Sequence, residues 1–270
     1  MNIDVFDPVA DSYDRTFTEQ PLGLELRQLV WSRLEESFKP GDRILELNCG
    51  TGADAIRLAS RGVQVVATDS SSAMLARAKS KARAKRLSGS IDFSQLDLTA
   101  QDSSWPDCEF DGAFSNFGGL NCVPDLRAVA IALARRVKPG GRVIVILMGR
   151  SCAWEILWHF FHLKPGIALR RFARAGAEAR VGQGTIRVWY PSCAELRRAF
   201  APEFLPKRIQ GLGVFLPPSY LWDVMESHPK VYRTLRKLEA GLGSAPLVRG
   251  LGDHILTDFE RRIYTARAKE

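Results

Sequence analysis

The chain has 270 residues, 46% hydrophobic and 25% charged, enough to bury a full core as one large α/β domain or as one domain with a sizeable insertion. Residues 1–14 are acidic and lack the basic start and apolar core of a signal peptide, and the longest strongly apolar stretch, Trp154 to Leu163, is too short to span a bilayer. The net charge of +8 sits in the C-terminal part: residues 1–150 hold 19 Lys/Arg and 19 Asp/Glu, whereas residues 151–270 hold 19 and 11. Such an excess suits an acidic substrate, an anionic membrane surface, nucleic acid or a plain solvated surface.

Five cysteines, at 49, 108, 122, 152 and 193, form no C-x-x-C pair and are odd in number. The pattern predicts neither a disulfide framework nor a metal site, and reads as reduced thiols in a cytoplasmic protein.

In chain order, residues 8–38 read as helical, with Leu22, Leu26, Leu29, Val30 and Leu34 on one face, closed by Lys39-Pro40-Gly41. Strands are expected over 43–47, 63–68, 91–95, 110–115 and 142–147, with helices over 53–61, 71–87 and 124–137 between them. Strands alternating with helices predict right-handed β-α-β units and a parallel sheet. Ligands in such sheets bind beyond the C-terminal strand ends, which here carry Asn48–Gly52, Asp69, Asp97 and Asn116–Gly119. Asp69 stands 19 residues past Gly50, where a carboxylate can meet ribose hydroxyls. It also precedes a serine run at a helix start, so a capping role competes. Asp97-Leu98-Thr99 can equally form a simple turn. The basic run Arg77–Arg86 reads as a solvated helix face, and Lys138-Pro139-Gly140-Gly141 as a helix stop and turn.

After Gly149 the regular alternation lapses. A helical apolar segment over 154–163, a basic stretch with Arg170, Arg171, Arg174 and Arg180, and a β-rich run over 185–190 follow. A helix capped by Ser192, a strand near 208–214, helices from 218 to 242 and a last strand over 254–265 complete the chain. The organisation expected is residues 1–149 as the N-terminal helices and cofactor-binding half, 150–190 as a lid over the site, and 191–270 as the remainder of the domain with a helical insertion near 217–250.

Taken together, Glu46-Leu-Asn-Cys-Gly50-Thr-Gly52, Asp69, Asp97, the 110–116 strand and Leu133 with Lys138–Gly141 resemble class I S-adenosylmethionine-dependent methyltransferases. The opening Phe6-Asp-Pro-Val-Ala-Asp-Ser-Tyr13-Asp14 is similar to their small-molecule branch, which includes ubiquinone/menaquinone- and biotin-pathway enzymes. The resemblance covers residues 4–148 well and the rest loosely. It implies a Rossmann-like doubly wound α/β sheet, mostly parallel with an antiparallel last strand, plus an α/β lid insertion. It also implies S-adenosyl-L-methionine as cofactor, S-adenosyl-L-homocysteine as product and a small-molecule acceptor.

By that resemblance Gly50 and Gly52 pack under the methionine part of the cofactor and Glu46 helps hold its ammonium group. Asp69 takes the ribose hydroxyls, Ser70 and Met74 border the adenine, and Asp97 and Leu98 meet its amino group and ring edge. Asn116 and Phe117 line the path to the sulfonium, and Tyr13 closes the pocket. Asn48 departs from the family's usual glycine; asparagine is the non-glycine residue that best tolerates positive φ.

A nicotinamide-binding protein is one rival, since Gly50–Ala55 fits G-x-G-x-x-A; Asp97 and the Lys-Pro-Gly-Gly turn have no role in that pattern. A nucleic-acid methyltransferase or RNA-interacting protein is another, suggested by the basic C-terminal part, but no basic stripe with interleaved aromatics supports it. Methyl transfer needs mainly an in-line approach, with a base where the nucleophile is protonated. Of the four histidines, each of which also reads as a surface or packing residue, His159, among aromatics on the lid, is the first candidate base, ahead of His162, His228 and His254. Trp154, Trp158, Trp189, Tyr190 and Phe215 are candidate substrate contacts for an amphiphilic or acidic acceptor. The same lid aromatics would also serve peripheral membrane contact or a homodimer interface, with a monomer as the alternative.

Overall fold

The computed structural model describes residues 5–100 and 104–263. The last residues of the strand expected over 254–265, like the first four of the chain, lie outside them. Among the described residues nine strands form two sheets. The larger contains β1 (Arg43–Leu47), β2 (Gln64–Asp69), β3 (Ile91–Gln95), β4 (Phe110–Ser115), β5 (Val137–Met148), β8 (Phe204–Leu212) and β9 (His254–Arg261), in the order β3-β2-β1-β4-β5-β9-β8. β1 to β5 pair in parallel, and β9 lies antiparallel between β5 and β8. The smaller sheet is the hairpin of β6 (Ala177–Val181) and β7 (Gly184–Val188).

The direction of strand addition reverses between β1 and β4, so the loops after these strands open into the crevice where such sheets take ligands. Both faces of the sheet are covered, which explains why the parallel strands are apolar throughout. One core layer contains Ile44, Val65, Phe114 and Ile144 under α1 (Pro21–Ser37) and α2 (Ala53–Ala59); the other contains Leu45, Val66, Val143 and Phe259 under α4 (Leu126–Ala134) and α7 (Cys193–Phe200). In α1 the spacing of Leu22, Leu26, Val30 and Leu34 buries one stripe, and Pro21 starts the helix where its missing N–H costs nothing.

Local capping chemistry sets the other helices. Ser71 accepts from the Met74 N–H at the start of α3 (Ser72–Ala84), Asp125 caps α4, and Ser192 with Glu195 forms a capping box on α7. Beyond the sheet lie α5 (Ala153–Phe161), α6 (Pro165–Ala168), α8 (Trp222–Glu226) and α9 (Pro229–Leu242).

Residues 8–38 are not one helix: Gln20, before Pro21, is extended at ψ +132° and separates the helical turn Asp14–Thr18 from α1. Two further elements differ from the sequence expectation. Lys138–Gly141 does not precede β5 but bulges within it: Phe110 pairs with Val137 and Gly112 with Arg142, while Gly140 takes φ +80°. And β6 occupies what reads as a basic stretch, because Ala-Glu-Ala-Arg has weak strand propensity and is held extended by β7 across the Gly182 turn. In β9 the fully buried Asp258 is held by Arg33 and Arg142, the latter donating from Nε at 2.9 Å.

Candidate active site

The loop after β1 runs through left-handed backbone at Asn48 (φ +56°), Gly50 (+53°) and Gly52 (+75°). The two glycines serve different ends. A Cβ on Gly50 would meet only Tyr13, at 3.9 Å, so its backbone faces open space; a Cβ on Gly52 would lie 2.9 Å from Ala78, so that glycine lets α3 pack close. Asp69, ending β2, ties the loop to α3: its Oδ2 accepts the Gly50 N–H at 2.8 Å and its Oδ1 the Ser71 N–H at 2.9 Å. Burial raises its carboxyl above the ordinary range against the pull of these donors.

Beneath the loop, Glu46 is fully buried and its Oε2 has no hydrogen-bond partner. Burial pushes its carboxyl well above the usual carboxylate range, Asp54 adds to the rise, and Arg27 opposes it. A buried carboxylate oxygen without a partner is costly and calls for a donor. Next to it Arg27 grips both Asp54 oxygens at 2.6 Å, while Trp31 and Asn116 donate to the same carboxylate at 2.7 and 2.9 Å. Asn116 in turn accepts the Phe117 N–H at 2.9 Å. This holds Phe117 in a left-handed conformation (φ +44°) beneath the Arg27 guanidinium, 4.7 Å from its ring centre. Positive φ in a bulky residue stores strain that the surrounding bonds must hold.

The N-terminal segment closes over this floor. Asp14 accepts from Thr51 at 2.5 Å and from Lys81 at 2.6 Å, and Asp7 accepts from the Ser71 hydroxyl. Phe6, Tyr13 and Phe17 are thereby set over a cavity of about 370 Å³ that reaches from Gly50, Asp69, Ser70 and Met74 past Asn116 and Phe117. Its far wall is apolar, made by Met148, Val181, Ile186 and Val188, with Arg180 at β6 and the pair Asp253–His254 at the start of β9.

Of the residues expected at the cofactor, Tyr13, Asn48, Gly50, Asp69, Ser70, Met74, Asn116 and Phe117 line this one cavity. Glu46 and Gly52 lie under it. Asp97 and Leu98 are not on its wall: Asp97 Oδ1 accepts from the Thr99 N–H and hydroxyl at 2.8 and 2.7 Å, and Leu98 packs on the β4–β5 core layer. The structure also places the expected lid residues away from the cavity. His159 is half-buried on α5, with burial lowering its pKa. Trp154 donates to the Phe215 carbonyl at 2.9 Å, and Trp158 packs on His162 with ring centres 4.3 Å apart. The Trp189 N–H donates to the Asn121 carbonyl at 2.8 Å, and Tyr190 is buried under Arg171.

Sequence reasoning set 150–190 over the site but named none of the hairpin's wall residues, passed over Asp253, and ranked His254 behind His159. One signal was available: in an antiparallel last strand it is the beginning, not the end, that lies at the ligand edge, and His254 pairs with Met148 at the end of β5. Behind the pair, Arg171 donates to Asp253 at 2.6 Å and to Glu155 at 2.5 Å. Ligand atoms of Cys152, Glu155 and Asp253 lie within 4.8 Å of one another, and the Arg171 guanidinium already supplies the positive charge there. Burial raises Asp253, but His254 and Arg171 outweigh it and hold its carboxyl below the ordinary range.

Residues 44–141 match a family model described as a methyltransferase domain. The chain is 33% identical over 202 residues to a demethylmenaquinone methyltransferase of Corynebacterium glutamicum, covering 72% of this chain and 80% of the relative. It is 37% identical over 153 residues to a 2-phytyl-1,4-naphtoquinone methyltransferase of Synechococcus elongatus, where the match covers 54% of this chain and 63% of the relative. In fold it is similar to geranyl diphosphate C-methyltransferase from Streptomyces coelicolor A3(2), crystallised with S-adenosyl-L-homocysteine: TM-score 0.56, 15% identity, 87% of this chain and 78% of that one. The sheet order, the glycine loop and these relatives together define a class I methyltransferase. The chain belongs to the S-adenosylmethionine-dependent methyltransferases.

Proposed function

We propose that the protein moves the methyl group of S-adenosylmethionine to a reduced quinone-type or similarly amphiphilic small molecule. The observation that carries this reading is the continuity of one cavity, from the polar loop at Gly50 and Asp69 to the apolar wall of the β6–β7 hairpin. The naphthoquinone-directed names of its relatives favour the same acceptor class.

The residues fit the cofactor. Glu46 Oε2 lacks a donor, which an ammonium group supplies. The Gly50 backbone has no Cβ to block approach, and Asp69 retains acceptor capacity for ribose hydroxyls beside its two backbone bonds. In this reading Asn48 and Gly52 shape the loop, Ser70 and Met74 flank the adenine, Asn116 and Phe117 lead to the reacting methyl, and Tyr13 covers it. Asp97 and Leu98 keep their adenine-edge role on family resemblance alone. Once bound, the sulfonium presents an electrophilic methyl group. The chain's work is then to hold the acceptor in line and exclude water. Arg180 on the hairpin borders the cavity and is the cation we assign to an acidic or enolic oxygen of the acceptor.

The protein is also suited to peripheral contact with an anionic bilayer. The end of α5 exposes Leu157, Phe160, Phe161 and Leu163, flanked by Lys164, Arg170 and Arg174. An apolar tip within a basic rim suits the headgroup boundary of such a membrane, where a long-tailed acceptor would reside. No helix among the described residues is long and apolar enough to cross a membrane.

Calorimetry with S-adenosylhomocysteine, followed by methyl-labelled transfer to reduced 2-phytyl-1,4-naphthoquinone, tests the reading. Stabilisation by NADH with none by S-adenosylhomocysteine would overturn it.

A further inference from the structure

We propose that His254 is the general base that takes the hydroxyl proton of the methyl acceptor, with Asp253 as its positioning residue; this rests on the methyl-transfer reading above. His254 is 9% exposed and lines the cavity beside Phe117, whose ring it meets edge-on at 5.2 Å. Its Nδ1 is sealed inside the protein, 3.2 Å from Asp253 Oδ2 without an aligned hydrogen bond. Among the described residues the ring has no other polar partner, so Nε2 is the nitrogen left to the cavity. The buried imidazole thus has a carboxylate on one side and the cavity on the other, where a proton-bearing ligand would meet its second nitrogen.

Asp253 is fixed from several sides. Arg171 donates to its Oδ1 at 2.6 Å and to its carbonyl at 3.0 Å, and the Gly149 N–H donates to the same carbonyl at 3.2 Å. The carboxylate is therefore rigid and charged, as a group that orients an imidazole and offsets its positive form must be. Among the described residues the charged and titratable groups around the pair are Arg171 from the turn after α6, Tyr190 beneath it after β7, Cys152 and Glu155 from the start of α5, and Arg27 across Phe117 from α1. The other proton-bearing groups on the cavity wall suit the role poorly. Burial raises the Tyr13 phenol and pushes the Cys122 thiol up to about 11, and Asp69 is engaged by two backbone donors at the opposite end.

For a hydroxylated aromatic acceptor the proton passes from oxygen to Nε2. The freed oxygen pair becomes the carbonyl bond, and the displaced ring pair forms the new carbon–carbon bond to the methyl group. The methyl–sulfur pair leaves with sulfur, which becomes a neutral thioether. The proton on the methylated ring carbon then departs to solvent, the carbonyl pair returns to the oxygen as the ring regains its aromatic character, and Nε2 gives its proton back to that oxygen, so one proton is released per methyl group.

The test compares the full-length chain with His254→Gln and Asp253→Asn. It measures S-adenosylhomocysteine affinity, single-turnover methylation of reduced 2-phytyl-1,4-naphthoquinone against pH, and deuterium uptake at the ring carbon of that naphthoquinol in D2O with S-adenosylhomocysteine bound. The expected result is unchanged cofactor affinity, a loss of about 100-fold or more in both methylation and deuterium uptake for His254→Gln, and disappearance of the rate's rise with pH. His254→Ala should regain rate with added imidazole. Asp253→Asn should lower the rate and displace the pH profile. Wild-type methylation matched within about threefold by His254→Gln overturns the base and leaves the methyl-transfer reading intact. Cofactor binding without methylation of this naphthoquinol or of any component of a cell extract overturns both.

Discussion

Asn48 occupies the space that a side chain at residue 119 would need: a Cβ on Gly119 would lie 2.3 Å from the Asn48 Cβ and 2.7 Å from its Cγ. The asparagine in place of the family's usual glycine is thus matched by a glycine in the facing loop, and the two loops of the sheet's switch point interlock. Gly119→Ala is expected to destabilise the protein by about 1–3 kcal/mol, and Asn48→Gly in the same chain should recover most of it. Urea unfolding of the two single variants and the double variant measures the coupling. Additive effects would mean that the loops yield independently.

Asp69 spans Gly50 and Ser71 through separate oxygens. Asp69→Asn turns one acceptor into a donor facing an N–H group, which unsettles the loop as well as removing a partner for the ribose. S-adenosylhomocysteine affinity should fall by roughly 30-fold or more, about 2 kcal/mol, with the far-ultraviolet spectrum retained. Calorimetry decides, and an unchanged affinity would remove Asp69 from the site.

The N-terminal cover depends on an ion pair whose pH response has a definite sign. Burial pushes the Asp14 carboxyl up, but hydrogen bonds from Lys81 and Thr51 and the Lys81 charge outweigh it and hold it below the ordinary value. A depressed carboxylate contributes its stabilisation above the unfolded value, about 3.9, and loses it as pH falls through the lower folded value. The cover is therefore expected to stay closed at neutral pH and to loosen below about pH 4. An acid-stable protease applied across that range should cut within residues 5–18 increasingly as pH falls. Asp14→Asn should be cut readily at every pH; cleavage of the wild type that does not vary with pH would refute the anchoring role.

The parallel sheet and the glycine loop were legible because short-range patterns produce them. Apolar runs ending in Glu46, Asp69 and Asn116, each followed by turn or cap residues, mark the ligand edge before any contact is known. The acceptor side depends on long-range placement. Trp154, Trp158, Trp189, Tyr190 and Phe215 look like a binding wall by composition, yet they are used in backbone contacts and packing around α5 and the end of β7. The wall that faces the cofactor loop is instead built of Val181, Ile186 and Val188 on a hairpin whose first strand has little strand propensity. His254 differs from His159 only by topology, since an antiparallel β9 brings its first residue to the cavity.

Arg171 joins Glu155 and Asp253 in a buried cluster that secures α5 to the start of β9. Burial lowers the guanidinium's pKa, but the two carboxylates outweigh it and raise it overall. Arg171→Met leaves two acidic groups without their shared cation, the case in which breaking a buried pair is most costly. A loss of about 3–5 kcal/mol is expected, read as a lower urea midpoint at pH 7. A midpoint within error of the wild type would show that the cluster relaxes and resolvates freely.

The tip of α5 has an unusual surface for a helix end. Phe161 is 83% exposed and Leu163, in a left-handed conformation at φ +56°, is 89% exposed. The backbone there is held by Lys164, whose N–H donates to the His159 carbonyl at 2.8 Å, so the two apolar side chains are presented by a fixed turn. Burying both in the headgroup boundary would gain about 3–6 kcal/mol from apolar transfer alone, with the neighbouring basic residues adding attraction to anionic lipid that salt screens. Flotation with vesicles of phosphatidylglycerol and phosphatidylcholine should carry the wild-type chain at low salt and release it in part at high salt. Phe161→Ser with Leu163→Ser should stay unbound under both conditions while keeping S-adenosylhomocysteine affinity, since neither residue lines the cavity. Equal flotation of the two proteins would place membrane contact elsewhere, and a wild type that never floats would leave this tip without a bilayer role.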